Sequence, residues 1–269
     1  MLLPFAPNDV CHIVQRDPDT AIRVDDVDGV TVCSLLFDAH HSSRTLISIE
    51  GGKESHKDNP TLLADLFFRV GGFLSAPVHV DCAIEVKAND VIGDHFWIWR
   101  ADHGVEKSTG WTVNTCPVGI NVKGDDVTIY GLFNEHFQQY QTLWEGERGR
   151  VYFYQCETPY DSMEQWRFMS ENGTRDGYAA YKVADGVEQH EVHGLGIYDV
   201  FFKTNIRIHN SMEVPEKPGI LVNHLCNVCL SDDGTRGFGY LINGKYPSTY
   251  NTHRGNRTYV DRYVGGQTE

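Results

Sequence analysis

A membrane-spanning segment is missing: no run approaches the roughly 20 consecutive apolar residues that a bilayer helix needs. Basic residues are scarce. With 23 Lys and Arg against 37 Asp and Glu, the 269-residue chain has a net charge of −14. That balance argues against nucleic acid or an anionic membrane as a partner and suits a neutral or cationic substrate. A disulfide framework is also lacking, because the seven cysteines are odd in number and irregularly spaced. Cys226 and Cys229 form a CxxC with no second pair, so cysteine in an apolar core is expected. The start, MLLPFAPNDVCHIV, has neither a basic n-region nor a long apolar h-region, so no secretory leader is expected. Metal signatures are incomplete. Asp25, Asp26 and Asp28 lack the distal Glu of a calcium loop and read as turn chemistry. His190 and His193 have no further ligands nearby. No metal and no cofactor are expected.

What the chain does have is turns and alternation. Its 26 glycines, 12% aromatics and short alternating runs fit an all-β fold. From Gly119 to Asp161 an apolar pair, a polar turn and a strand recur: Ile120 and Val122 lead through Asp125-Asp126 to Val127–Ile129, and Leu143 leads through Glu147-Arg148-Gly149 to Val151–Tyr154. An earlier copy runs from Ile84 to Val91. Val127 to Val151 is 24 positions, one coil of a solenoid and too short for a βαβ crossover. The last two copies each end on an acid, Glu135 in NEH and Glu157 in CETPYD. Setting Val127 beside Val151 places Phe133 beside Glu157, with Glu135 two residues on and roughly 8 Å away between Cβ positions. Inverting glycosidases hold their carboxyls about 6.5–9.5 Å apart. Spacing alone leaves open whether the pair is catalytic or lies on a solvated face.

Residues 20–50 read as rungs, with a strand from Arg44 to Glu50, and TLLADLFFRVGG is either a strand or a short helix. Around it, Phe96 and Ile98 point one way while His95, Trp97 and Trp99 point the other. An outward tryptophan platform results, with the loop from Arg100 to Trp111 expected to cap one ring. Coils return at Val192–Phe202, Ile206–His209 and Ile220–Leu230. One solenoid domain spanning 1–269 is expected, with a loop insertion at about 162–190, which carries Met163 and Trp166, and an end cap at about 231–269.

The runs NDVIGDHFWIWRADHG, GWTVNT, GLFNEHFQQYQTLW and YFYQCETPYD resemble the C-terminal β-helix of family 55 glycoside hydrolases, the β-1,3-glucanases. The likeness extends over roughly residues 20–230 and is most specific from Asp90 to Asp161. It implies a right-handed parallel β-helix, one half of a tandem β-helix enzyme with its glucan cleft between the halves. It further implies metal-free hydrolysis of β-1,3-glucan with inversion, with Glu157 as general acid and Glu135 positioning or activating the water. Its motifs and the adjoining loops supply substrate-binding candidates: Trp97, Trp99, Arg100, Asp102 and His103 on one segment, Trp111 and Asn114 on the next. His136, Tyr154, Tyr160 and Trp166 complete them. Tyr154, Tyr160 and the nearby Glu135 are expected to raise the pKa of Glu157.

Members of that family are far longer, with an N-terminal β-helix for which this chain has no counterpart. The chain is therefore expected to be a fragment or a standalone descendant, weakly active or inactive until a second β-helix joins it, and prone to self-association. By resemblance its location is extracellular. Two other readings stand beside the hydrolase. One is a non-catalytic glycan-binding or structural β-helix. The other is a polysaccharide lyase, which the −14 charge and the absent calcium cluster count against.

Overall fold

Alternation of β-branched, aromatic and aliphatic residues with polar ones makes strands that are apolar on one face. No single coil of such strands can bury that face alone, so coils stack. The computed structural model describes residues 11–16, 18–52, 54–162, 164–202, 204–232 and 234–267. The first ten residues, read above for a leader, and Met163 lie outside that set.

The chain alternates between two nine-stranded sheets. The first stacks Cys11–Gln15, Thr31–Ala39, Leu62–Val70, Ile92–Arg100, Thr128–Glu135, Gly149–Glu157, Gln189–Asp199 and Gly219–Cys229 in parallel. The second begins Thr20–Val24, Thr45–Ile49, Cys82–Val86, Val118–Val122 and runs on to Gly237–Ile242. Antiparallel strands close both at the C-terminal end, Arg257–Val264 on the first and Lys245–Pro247 on the second. This is a parallel β-helix, and the ambiguous TLLADLFFRV segment is one of its strands.

Its core consists of like residues stacked in register. Ile22, Ile47, Ile84 and Ile120 form one inward row of the second sheet. Leu66, Phe96, Leu132, Tyr154, Leu195 and Leu225 form one of the first, all buried. Each long strand of the first sheet bends once, at a residue in the left-handed region: Ser34, Asp65, His95, Gly131, Phe153, Gly194 and His224. These corners lie one above another. They reset the in–out alternation, so each corner residue and the one before it face outward in succession and the residue after it faces the core.

The coil turns are held by a second ladder. Asn89 Oδ1 accepts the Asp125 N–H at 2.9 Å, and Asp125 Oδ1 accepts the Glu147 N–H at 2.9 Å. Glu147 in turn accepts the N–H groups of Glu188 and Gln189. Backbone at these corners is so close that a Cβ on Gly124 would lie 1.8 Å from the Ala88 carbonyl oxygen, and one on Gly146 1.9 Å from that of Gly124.

After Glu157 the chain leaves the coil through two 3₁₀ turns and a short hairpin, Met169–Ser170 with Arg175–Asp176. It rejoins at Tyr181–Val183, so the insertion ends sooner than residue 190. Buried Phe168 packs on Trp111 and Tyr178 and fixes it.

Gly124→Ala or Gly146→Ala is expected to cost roughly 2 kcal/mol or more through backbone displacement. Gly186→Ala, where a Cβ meets nothing within 4 Å, should be near neutral. Thermal denaturation of the three variants checks this, and equal melting temperatures would contradict the close approach.

Candidate active site

Outward residues of the first sheet stack as strictly as the core does. One row runs Arg69, Trp99, Glu135, Glu157, Tyr198, and the row two residues earlier runs Phe67, Trp97, Phe133, Gln155, Gly196. The register expected from sequence is corrected here. Ile129, and not Val127, lies beside Val151, so Glu135 stands directly opposite Glu157. The backbone positions of the two acids are then one strand spacing apart, about 4.8 Å.

Their side chains diverge along the strand. Trp97 Nε1 donates to Glu135 Oε2 at 3.0 Å, and the Gln155 amide also bonds to that carboxylate, so Glu135 leans back over its own strand. Glu157 leans forward, its Oε2 accepting from the Tyr160 hydroxyl. The two carboxylates are thus held by separate partners, Glu135 by Trp97 and Gln155 and Glu157 by Tyr160.

Burial disfavours both charges. Glu157 is pushed up to about 7 by desolvation first, then by the charges of Glu135 and Asp102. Glu135 is also raised by burial, but its bonds from Trp97 and Gln155 pull the other way. Both acids are raised, but only Glu135 has hydrogen bonds that offset part of the rise, so Glu157 is the better placed of the two to keep a proton.

Behind the acids lies a bonded brace. His136 turns into the left-handed region directly after Glu135, and its N–H donates to the Glu157 carbonyl at 2.9 Å. Its Nδ1 bonds to the Thr158 carbonyl at 3.0 Å, so the neutral ring presents Nε2, 3.9 Å from both Glu157 and Asp102. Desolvation holds the His136 pKa down at about 4, keeping it neutral. Arg100, fully buried, donates to the His136 carbonyl at 2.5 Å and to the Asp161 carboxylate.

The other candidates divide. Trp97 and Trp99 stack on each other with centroids 5.3 Å apart. His103 covers Trp99 at 5.0 Å, and Asp102 accepts from both, so one of the two rings is capped by the following loop. Tyr160 packs on His136 at 4.1 Å. With Glu135, Glu157 and Asp102, these residues make one site. Arg100, Asn114 and Tyr154 are corrected. Arg100 continues the inward parity of Phe96 and Ile98 and is spent on the brace. Asn114 is buried, its amide bonded to the Val70 and Ala101 carbonyls. Tyr154, 1% exposed, faces the core because the corner at Phe153 resets the alternation, and its hydroxyl donates to the Ala180 carbonyl. Trp111 packs between Phe168 and the Arg100 guanidinium. Trp166 stands exposed on the insertion with Arg167 over its ring. Gln155 and Asp161 were missed; Gln155 shares the outward parity of Glu157, which could have flagged it. Among the described residues no group of three His, Cys, Asp or Glu could hold a metal.

A family model described as the LAM55 pectate lyase-like domain matches residues 9–157. An exo-β-1,3-glucanase of Streptomyces sp. (strain SirexAA-E / ActE) is 44% identical over 236 residues, 86% of this chain and 38% of the relative. The solved structure of sacteLam55A from Streptomyces sp. SirexAA-E superposes with a TM-score of 0.84 at 40% identity, over 94% of this chain and 45% of that one. A variant of sacteLam55A in complex with glucose gives a TM-score of 0.84 at 38% identity, with the same coverage. The chain thus spans less than half the length of these relatives. By sequence and by fold, it belongs to the LAM55 pectate lyase-like family.

Proposed function

We propose that this chain carries the acid pair of a β-1,3-glucan hydrolase that works with inversion. The observation that carries the reading is the Glu135–Glu157 pair, two half-buried acids facing each other in register, with Glu157 pushed up to about 7. Glu157 delivers its proton to the glycosidic oxygen as the C–O bond breaks. Tyr160 occupies Oε2 and leaves Oε1 to carry that proton. Glu135 takes a proton from the water that attacks the anomeric carbon from the opposite face, so the pair exchanges protonation states in each turnover. Trp97 and Trp99 supply apolar faces for sugar rings, and the acidic net charge suits a neutral glucan. A lyase reading is weakened by the Arg100 guanidinium, which is buried behind the acids and so is not placed to neutralise a uronate.

The named glucanase relative is much longer than this chain. In the proposed enzyme a second β-helix forms the facing cleft wall and helps hold the water, a contribution that positioning makes large. A substrate of this kind places the enzyme outside the cell.

Glu157→Gln is expected to lower kcat on laminarin by about a thousandfold or more while changing KM little, because only proton donation is lost. Proton NMR of the first product should show the inverted anomer, and a retained anomer would refute the assigned geometry. Activity should fall as pH rises through about 7, where Glu157 loses its proton; a rate–pH profile flat from 6 to about 8 would contradict Glu157 as the acid. The isolated chain is expected to hydrolyse laminarin feebly and to gain activity when a cognate N-terminal β-helix is added. Full turnover by the monomer alone would show that one β-helix suffices.

A further inference from the structure

The corner ladder of the first sheet contains one residue that does not belong there on conformational grounds. Left-handed backbone is tolerated by Gly and reached more readily by Asp and His, whereas a bulky side chain there is an outlier. The corners at Asp65, His95, Gly131, Gly194 and His224 obey that rule, and Ser34 is small. Phe153 breaks it, at φ +66. Burial does not offset the strain, since Phe153 is 61% exposed and its ring makes an edge contact with Phe133 at 5.7 Å. Strain kept at an exposed position points to something that covers it.

The surroundings define what that is. The corners immediately before and after Phe153 are Gly131 and Gly194. A Cβ on Gly131 would meet nothing nearer than 3.7 Å, and one on Gly194 nothing within 4 Å. The ring therefore stands on a ridge with open flanks. On one side Phe133 links it to Trp97, its register neighbour, and hence to the acids. On the other, Tyr130 and Tyr152 stack at 5.3 Å and Tyr152 stacks on His193 at 5.0 Å. Phe153 precedes Glu157 by four residues, roughly 13 Å of strand.

We infer that Phe153 is a glucan-binding platform outside the acid site, holding the same chain a few sugar units from the bond that is cut. An apolar ring flanked by Phe133 and by the outward phenols of Tyr130 and Tyr152 matches the apolar face and hydroxyl edge of a neutral sugar. The inference rests on the β-1,3-glucan reading of the site, and Phe133 continues that site to the ridge.

The test uses the full chain in an E157Q background, so that laminarin is bound without being cut. Affinity electrophoresis in laminarin gels reads binding, and thermal denaturation reads strain. Phe153→Gly is expected to weaken laminarin binding roughly threefold to tenfold and, at the same time, to raise the melting temperature. Loss of binding with gain of stability is a combination that a packing residue does not produce. Undiminished binding by Phe153→Gly overturns the inference while leaving the acid site intact. A lower melting temperature overturns it in favour of a packing role, and a change in sedimentation without a change in binding overturns it in favour of a protein contact. If the E157Q parent itself is not retarded by laminarin, the glucan reading of the whole site falls and this inference with it.

Discussion

In-register parallel stacking is the constraint from which the rest of this structure follows. Each coil lays its residues on those of the coil before, so a position is defined by its row as much as by its sequence neighbours. Inside, that rule turns single isoleucines into a continuous apolar column and removes the need for any one coil to be stable alone. Outside, it brings together side chains from segments 20 to 40 residues apart with the spacing of a β-sheet.

The same rule makes the acid site possible and sets its cost. Two glutamates in one row cannot avoid each other, and half-burying them raises both pKa values. Burial and mutual repulsion would usually be relieved by moving apart. Here the His136 N–H, the Arg100 guanidinium and the Asp161 carboxylate tie the ends of the two strands together, so the strain is held in the protonation of Glu157. The arrangement shows a division between outward residues that can meet a substrate and buried ones that keep them in place.

Much of this was legible in the sequence, and the failures have identifiable causes. The rungs, the parallel stacking and the two acids follow from alternation and turn spacing. The register was misjudged by two residues because it was anchored on Val127 and Val151. Aligning the turns, Asp125-Asp126 on Glu147-Arg148, yields the 22-residue coil that pairs Ile129 with Val151. Tyr154 was counted as a neighbour of Glu157 from its place in the sequence, but three residues of strand separation put it on the opposite, core face. Arg100 was misassigned for a different reason. It was taken with the WIWRADHG run that carries the resemblance, although the parity of Phe96 and Ile98 already placed position 100 inside. Asn114 lies in an irregular loop whose buried hydrogen bonds have no sequence period to reveal them.

The turn ladder has a direction. Asn89 offers its oxygen to the N–H of Asp125, Asp125 to Glu147, and Glu147 to Glu188, always from an earlier coil to a later one. Backbone bonds at the same turns run the other way, from the N–H of Asp90 to the Asp125 carbonyl, of Asp126 to Glu147 and of Arg148 to Gln189, so each coil is tied to the next in both directions. The antiparallel strands seal the C-terminal end. Each coil thus meets its neighbours through the same pair of contacts, a row of side chains and a turn bond, so length is set by how many coils are stacked and not by any one of them.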